Sequence, residues 1–306
     1  DMEHLTNCDA IVRDFLRESE QTDHQRVFLA RSDPALNYGA VAAELMLKVA
    51  LARLGRLEEE TGVPLYPIIG VGAVPFRGHL SPVNVDRAFA EYPSAQTLTI
   101  QSAFKFDYPS DAVREAIERI MARERSAPMP IDEPRAQAIM DKAAAEHQAQ
   151  VRSLAPVIAA VSPNVPKRRE RKLHVGMFGY GRQLGGSGSD MTLPRAISFT
   201  ASLYSIGVPP ELLGLGALDA DDMAYVREVY PSFDHDMASA LRYANQARVA
   251  EVLGDDYARL ARDFAGDVDR VHEGLTSAIW ATVGRASTVN VTHYIEEAAQ
   301  LRRFLG

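Results

Sequence analysis

The sequence predicts an α/β protein whose parallel strands form part of a βα (TIM-like) barrel decorated with many helices. Short apolar segments alternate with helical patterns along the first two thirds of the 306 residues, and such alternation builds a parallel sheet. Each apolar segment ends in polar or glycine-rich sequence, as in barrels that carry their chemistry at the carboxyl ends of the strands. A complete barrel needs about eight strands, and only four are found. The sequence is therefore compatible both with part of a barrel and with an open sheet.

The predicted elements follow from hydrophobic periodicity and from turn residues. Strands are expected at residues 27–30, 63–69, 98–101 and 173–178. Helices are expected at 9–20, from Gly39 to about Glu60, at 83–92, from a cap at Ser110 to about Arg123, at 131–161 and after Leu193. The last third is all-helical, from Asp219 to Leu305, with turns near Pro231, Gly254 and Gly284.

Composition and charge exclude several classes of protein. The hydrophobic share of 46% and the charged share of 24% are ordinary for a globular chain. The net charge of −8 argues against nucleic acid or an anionic membrane as a partner. No apolar stretch reaches the roughly 18 residues of a membrane span, and the first residues lack the character of a signal peptide. Cys8 is the only cysteine, which fits a reducing, cytoplasmic location.

The loop after the second predicted strand, residues 70–82, is the strongest candidate site. It is rich in glycine, and Arg77 and His79 flank Gly78, which would let a ligand approach the backbone. The arginine fork fits a carboxylate or a phosphate at two points. In the functional interpretation, Arg77 and His79 are catalytic and Gly78 contacts the substrate. In the alternative, this is an ordinary loop with a solvated arginine.

The other predicted strands also end in side chains that suit an anionic substrate and a divalent cation. These candidates are Asp33 and Asn37 after the first strand, Gln101 and Lys105 after the third, and Arg182 and Arg195 after the fourth. Asp33 would bind Mg²⁺ or Mn²⁺, which take few protein carboxylates and keep oxygens of water or substrate. Asp33 could equally cap a helix ahead of Pro34, and Arg195 could be a surface residue at a helix start.

Other motifs are excluded or weak. Pro75 stands where a dinucleotide-binding fingerprint needs glycine, and neither a P-loop nor a His-Glu-x-x-His pattern occurs. The histidines outside the glycine loop show no metal-ligand spacing. The basic run 167–172 fits a solvated loop better than a nucleic-acid patch. The glycine- and serine-rich residues 185–189 are a candidate lid, with a plain surface loop as the alternative.

Several long motifs resemble the phosphoenolpyruvate carboxylases of the archaeal type. They are the glycine loop at 69–82, the segments 29–39 and 101–104, and the segments 178–182 and 193–211. Residues 303–306 resemble the natural carboxyl terminus of that family. The motifs follow the order that they have in the family and cover nearly the whole chain.

The resemblance implies an enzyme, a carboxy-lyase that converts phosphoenolpyruvate and bicarbonate to oxaloacetate and phosphate with Mg²⁺ or Mn²⁺. It also implies a βα-barrel that usually assembles as a homotetramer. The metal-binding carboxylate of the family falls on Asp33, and the arginine of its glycine loop falls on Arg77. Arg77, Arg182 and Lys105 would neutralise the charge of phosphate and carboxylate groups.

The sequence departs from the family pattern in three ways. It lacks the Thr-x-His-Pro motif, whose histidine serves carboxylation, and a second metal-binding carboxylate on an earlier strand. The second loop arginine of the larger bacterial and plant enzymes would fall near Val71. We therefore interpret residues 1–215 as the C-terminal half of a barrel with inserted helices, and 216–306 as a helical region packed on it. We expect this chain to be inactive alone. Another phosphoenolpyruvate or 2-oxo-acid lyase, or a non-catalytic subunit, is the alternative.

Overall fold

A small parallel sheet positions the glycine loop. The computed structural model describes residues 2–20, 23–166, 184, 191–283 and 289–306. Its strands are β1 (Gln25–Ala30), β2 (Leu65–Gly70) and β3 (Thr97–Leu98), parallel and adjacent in that order. Ala30 pairs with Gly70, and Ile69 with Leu98. The carboxyl ends of all three strands therefore meet at one edge of the sheet.

Five helices precede the end of the sheet. They are α1 (Met2–Thr6), α2 (Cys8–Ser19), α3 (Ser32–Tyr38), α4 (Ala40–Thr61) and α5 (Val85–Glu91). Helix α4 is rich in alanine and leucine and is buried along most of its length, as its few polar residues predict. It ends at Gly62, whose positive φ of 68° directs the amide back to the carbonyl of Glu58.

Four more helices follow the sheet. They are α6 (Ser102–Phe106), α7 (Ser110–Ala122), α8 (Glu133–Val161) and α9 (Ala196–Ser205). Asp132 caps α8, since its carboxylate accepts the amide of Arg135 at 3.1 Å. The predicted cap at Ser110 is wrong. Pro109 holds the cap position in an extended conformation (ψ 145°), and Ser110 is already the first helical residue.

The last third is helical, as predicted. Its helices are α10 (Ala220–Val229), α11 (Phe233–Leu241), α12 (Gln246–Leu253), α13 (Asp255–Ala265), α14 (Arg270–Thr282) and α15 (Val289–Arg302). The turns near Pro231 and Gly254 lie where they were expected, and the one near Gly284 falls outside the described residues. Asp219 and Asp222 form a reciprocal capping box at the start of α10.

One hydrophobic cluster joins the sheet, the glycine loop and the C-terminal helices. It extends from Leu5 to Leu305. Phe76 of the loop is completely buried within it and stacks on Phe199 of α9 with ring centroids 5.9 Å apart. The loop is therefore anchored in the core instead of lying on the surface.

The prediction of an α/β protein is confirmed, in a mostly helical form with a small parallel sheet. Three predicted strands are present, but the third keeps only two residues, Thr97 and Leu98, and Gln101 takes the cap position of α6. The predicted strand 173–178, the basic run 167–172 and the candidate lid 185–189 lie outside the described residues. No helix in the described part of the chain is long and apolar enough to cross a membrane.

Candidate anion-binding site

The carboxyl ends of the three strands bring their following residues to one edge of the sheet. Ser32 and Asp33 follow β1, the glycine loop follows β2, and Gln101 follows β3. This convergence was expected from parallel strands, whose carboxyl ends share an edge. It assembles the candidate site from three separate segments of the chain.

The glycine loop is a compact turn closed by its own backbone. The amide of Gly72 donates to the carbonyl of Arg77 at 2.7 Å, and the amide of Leu80 donates to the carbonyl of Gly72 at 2.8 Å. Gly78 has φ 98°, and a Cβ there would lie 2.7 Å from Cγ1 of Val71. Packing of the protein itself therefore requires this glycine. The positive φ and the contact with Val71 give Gly78 a conformational role. Its contact with the substrate stays a prediction.

Arg77 is buried, with only 5% of its surface exposed, so the alternative of a solvated arginine is wrong. Its Nε donates to Oγ of Ser32 at 3.0 Å, and its Nη1 donates to the main-chain oxygen of Gly306 at 2.8 Å. A Cβ on Gly72 would lie 3.2 Å from Cζ of Arg77 and 3.1 Å from Oε1 of Gln101. The guanidinium and the Gln101 amide therefore flank Gly72 on the same side of the loop.

Asp33 directly follows Ser32, the residue that accepts the bond from Arg77. It is the second residue of α3 and is half-buried. The helix begins at Ser32, and its cap is Arg31 without a side-chain capping bond. The interpretation of Asp33 as a helix cap is therefore wrong, because the helix starts one residue before it. A carboxylate at the edge of the sheet suits a hard divalent cation, and its role as a metal ligand stays a prediction.

His79 faces away from Arg77, toward α11. Its Nδ1 lies 2.5 Å from Oδ1 of Asp236, and Oδ2 of that carboxylate accepts the Tyr230 hydroxyl at 2.6 Å. The backbone of His79 is left-handed, with φ 49°. Since Gly78 and His79 are both left-handed, the chain turns between Arg77 and His79, and the two side chains reach different surroundings.

Among the described residues, one group could hold a metal ion by the spacing of its ligand atoms. It consists of His79, His235 and Asp236, whose ligand atoms lie within 4.8 Å of one another. The rings of His79 and His235 stack with centroids 5.6 Å apart and an angle of 16° between planes. The lone pairs of imidazole lie in the ring plane, so two nearly parallel rings must rotate before both can bind one ion. The arrangement is a hydrogen-bonded histidine–carboxylate pair, which no local spacing could have revealed.

The structure does not bring every predicted residue to the site. Asn37 is buried at the other end of α3, where its carbonyl accepts Nε2 of Gln148 from α8 at 3.3 Å. Lys105 is exposed on α6 above the ring of Phe106. Arg195 is exposed at the cap of α9, and Arg182 lies outside the described residues.

A buried group of charges lies beneath the loop, and sequence reasoning missed it. Arg31, with no exposed surface, bonds Glu44 at 3.0 Å, and Glu44 also accepts the Tyr92 hydroxyl at 2.7 Å. Lys48 lies 3.5 Å from Glu44 and contacts the carboxylate of Glu91. Burial disfavours the charge of Arg31, but Glu44 and the neighbouring tyrosines hold its pKa above the ordinary value. Both cations thus have carboxylate partners.

The fold and the site define an α/β protein with a buried arginine, Arg77, at the carboxyl edge of a parallel sheet. The sequence pattern of a family described as phosphoenolpyruvate carboxylase matches residues 1–306. This chain therefore belongs to the phosphoenolpyruvate carboxylase family, which confirms the resemblance.

Curated archaeal phosphoenolpyruvate carboxylases are similar along the whole chain. The protein of Methanospirillum hungatei is 44% identical over 307 residues, which cover 100% of this chain and 62% of the relative. The Pyrococcus abyssi protein is 43% identical over 297 residues, covering 97% and 60%. The Halobacterium salinarum protein is 43% identical over 312 residues, covering 99% and 61%. The chain thus spans about three fifths of the length of these relatives.

Proposed function

We propose that the protein to which this chain belongs is a phosphoenolpyruvate carboxylase, which converts phosphoenolpyruvate and bicarbonate to oxaloacetate and phosphate. The observation that carries the proposal is the buried Arg77, held by Ser32 at the edge of the sheet. The family match along the whole chain supports it. Because the chain spans about three fifths of its relatives, the activity is proposed for the whole protein.

In this proposal, Arg77 neutralises an anionic group of the substrate. A guanidinium with little exposure interacts more strongly with phosphate or carboxylate than one in bulk water does, since the low local dielectric weakens screening. The bond from Nε to Ser32 fixes the plane of the fork, which orients the bound anion. The amide of Gln101, on the same side of Gly72, would select among oxygen atoms of the ligand.

Asp33 would hold Mg²⁺ or Mn²⁺ at the same edge. Its carboxylate is a hard oxygen ligand, and Mg²⁺ takes one or two protein carboxylates together with oxygens of a phosphate. The half-buried position beside Ser32 fits that donor chemistry. When bound, the cation supplies a Lewis acid for the enol and phosphate oxygens.

The same proposal includes the two regions expected from the sequence. Residues 1–215 would form the C-terminal half of a barrel, and residues 216–306 a helical region packed on it. On β1, one of the two outer strands of the described sheet, Phe28 is 59% exposed and its ring lies over Gly70. The curated relatives are longer than this chain, so further strands of the full-length protein would cover this ring. A homotetramer and a cytoplasmic location also stay predictions.

The coverage of Phe28 can be measured in the full-length protein. If Phe28 is covered, Phe28→Ala lowers the free energy of unfolding by about 3 kcal/mol, the usual cost of deleting a buried ring. Met121, which is 80% exposed on α7, is the control, and Met121→Ala should change stability by less than about 0.5 kcal/mol. Equal, small effects would contradict the half-barrel.

The activity is tested with the full-length protein, phosphoenolpyruvate, Mg²⁺ and isotopically labelled bicarbonate. We expect labelled oxaloacetate, trapped as malate by malate dehydrogenase. Unlabelled pyruvate and phosphate as the main products would indicate hydrolysis of the enol phosphate without carboxylation, which contradicts the proposed carboxylase. Failure to bind or turn over phosphoenolpyruvate would indicate a non-catalytic subunit.

A further inference from the structure

The backbone of Phe76, directly before Arg77, is held from both sides by buried ionisable side chains. Its amide donates to Oε1 of Glu211 at 2.7 Å, and its carbonyl accepts Nη1 of Arg31 at 3.0 Å. Glu211 is 2% exposed and Arg31 has no exposed surface. The two side chains come from distant parts of the chain, so together they tie one peptide segment to two elements of the core.

Arg31 is itself held in a fixed orientation. Its Nε bonds Glu44 at 3.0 Å, and its Nη2 donates to the carbonyl of Ala40 at 3.2 Å. With the bond to Phe76, each of its three nitrogens is engaged in a different direction. Because the guanidinium is planar and rigid, these bonds define the position of the Phe76 carbonyl.

Glu211 is held by Tyr204 of α9, whose hydroxyl donates to the same Oε1 at 2.8 Å. Within the described residues its other oxygen, Oε2, has no hydrogen-bond partner. Glu211 also takes part in no ion pair with another described residue. A buried carboxyl group without a cation lowers stability unless its hydrogen bonds compensate. Stability alone therefore does not account for a carboxyl group at this position.

We propose that Arg31 and Glu211 are positioning residues that hold the peptide groups of Phe76 and thereby set the direction of the Arg77 side chain. The inference rests on the proposed function in one respect, namely that Arg77 binds the substrate anion. Displacements near 1 Å in such a group can cost about a hundredfold in rate. Both residues bond the backbone of Phe76 in the glycine loop and act on Arg77 through that backbone.

The test compares Glu211→Met, which removes the acceptor, with Glu211→Gln, which keeps Oε1, in the full-length protein. The matched control is Glu146→Met. Glu146 on α8 also accepts a backbone amide, that of Ala217 at 2.6 Å, but far from the glycine loop along the chain. Hydrogen exchange of the Phe76 amide, read from peptides covering residues 72–80, reports the clamp without any need for activity. Kinetics with phosphoenolpyruvate report its effect on the site.

We expect Glu211→Met to speed exchange of the Phe76 amide at least about tenfold and to lower kcat/KM by about tenfold to a hundredfold. Glu211→Gln should keep most of the protection and most of the activity, and Glu146→Met should change neither. If Glu211→Met does not fold, Arg31→Lys takes its place, because an ammonium cannot maintain three diverging bonds.

Unchanged exchange, or fast exchange with unchanged kcat/KM, in the folded Glu211→Met protein would overturn the inference. A wild-type protein that is inactive with phosphoenolpyruvate is a different result, since it contradicts the proposed function. The kinetic readout is then replaced by calorimetric binding of inorganic phosphate to wild type and Glu211→Met. We expect wild type to bind phosphate more tightly than Glu211→Met. Equal phosphate affinities would overturn the inference.

Discussion

Two side chains on one loop, Arg77 and His79, differ completely in what surrounds them. Arg77 lies among Ser32, Gln101 and Gly306 at the edge of the sheet. His79 pairs with Asp236 of α11. A pattern of Arg-Gly-His suggests one shared site, but the left-handed glycine between them turns the chain. Adjacency in sequence therefore says little about adjacency of side chains where a glycine has a positive φ.

The largest expected effect comes from removing the glycine that separates the two side chains. Gly78→Ala combines backbone strain at φ 98° with a Cβ 2.7 Å from Val71. We expect it to lower the free energy of unfolding by about 2–5 kcal/mol, measured by denaturant unfolding of the full-length protein. Gly62 is also left-handed, with φ 68° and ψ 4°, and has nothing within 4 Å of its Cβ position. Gly62→Ala should cost only about 1–2 kcal/mol, and equal costs would contradict the packing argument.

A second prediction concerns Glu211, which supports the backbone shared by both side chains. Burial raises the pKa of Glu211 to about 7, against hydrogen bonds from Tyr204 and Phe76 that lower it. The unfolded chain loses this proton near its ordinary value and the native chain near 7, so stability falls as pH rises between the two. The contribution is at most about 3 kcal/mol.

Glu211→Gln should remove that part of the pH dependence, leaving a flatter curve of unfolding free energy from about pH 4.5 to 7. Burial also raises the pKa of Glu91, but Glu91 is unchanged in both proteins, so the difference between their curves isolates Glu211. Parallel curves for wild type and variant would show that the Glu211 carboxyl group titrates as in the unfolded chain.

The third prediction separates the roles of Arg77 and His79. Arg77→Lys should lower kcat/KM for phosphoenolpyruvate by about tenfold to a hundredfold, since one charge-assisted bond contributes about 1.5–3 kcal/mol. An ammonium cannot reproduce the planar fork. His79→Asn, which tolerates the left-handed backbone, should change stability more than substrate affinity. Near-normal kinetics for Arg77→Lys would remove this residue from the site.

The smallest expected effect compares two carboxylates, Asp33, which follows Ser32 in the chain, and Asp236, which bonds His79. Asp33→Asn should weaken Mn²⁺ binding by about tenfold with little change in thermal stability. Asp236→Asn should leave Mn²⁺ affinity unchanged. Titration by electron paramagnetic resonance measures both. The metal assignment fails if the two variants bind Mn²⁺ equally well.

Much of the fold was predictable because local signals mark its elements. The apolar segments before Arg31 and Gly70 became β1 and β2, and the helical periodicity after Asp219 was confirmed. The predicted cap at Ser110 was wrong because Pro109 holds that position, and the predicted third strand was too long because Gln101 already caps α6. Boundaries depend on such small local differences more than the existence of an element does.

The sequence by itself determined the family, the alternation of strands and helices, and the glycine loop with Arg77 as the leading candidate. These features depend on short-range periodicity, turn residues and motif order. Only the tertiary structure decided that Arg77 is buried, that His79 turns away from it, and that Glu211 and Gly306 reach the loop. Glu211 is 135 residues from Phe76, and Gly306 is 229 residues from Arg77. Contacts at such separations depend on how whole elements pack, and no local pattern encodes them.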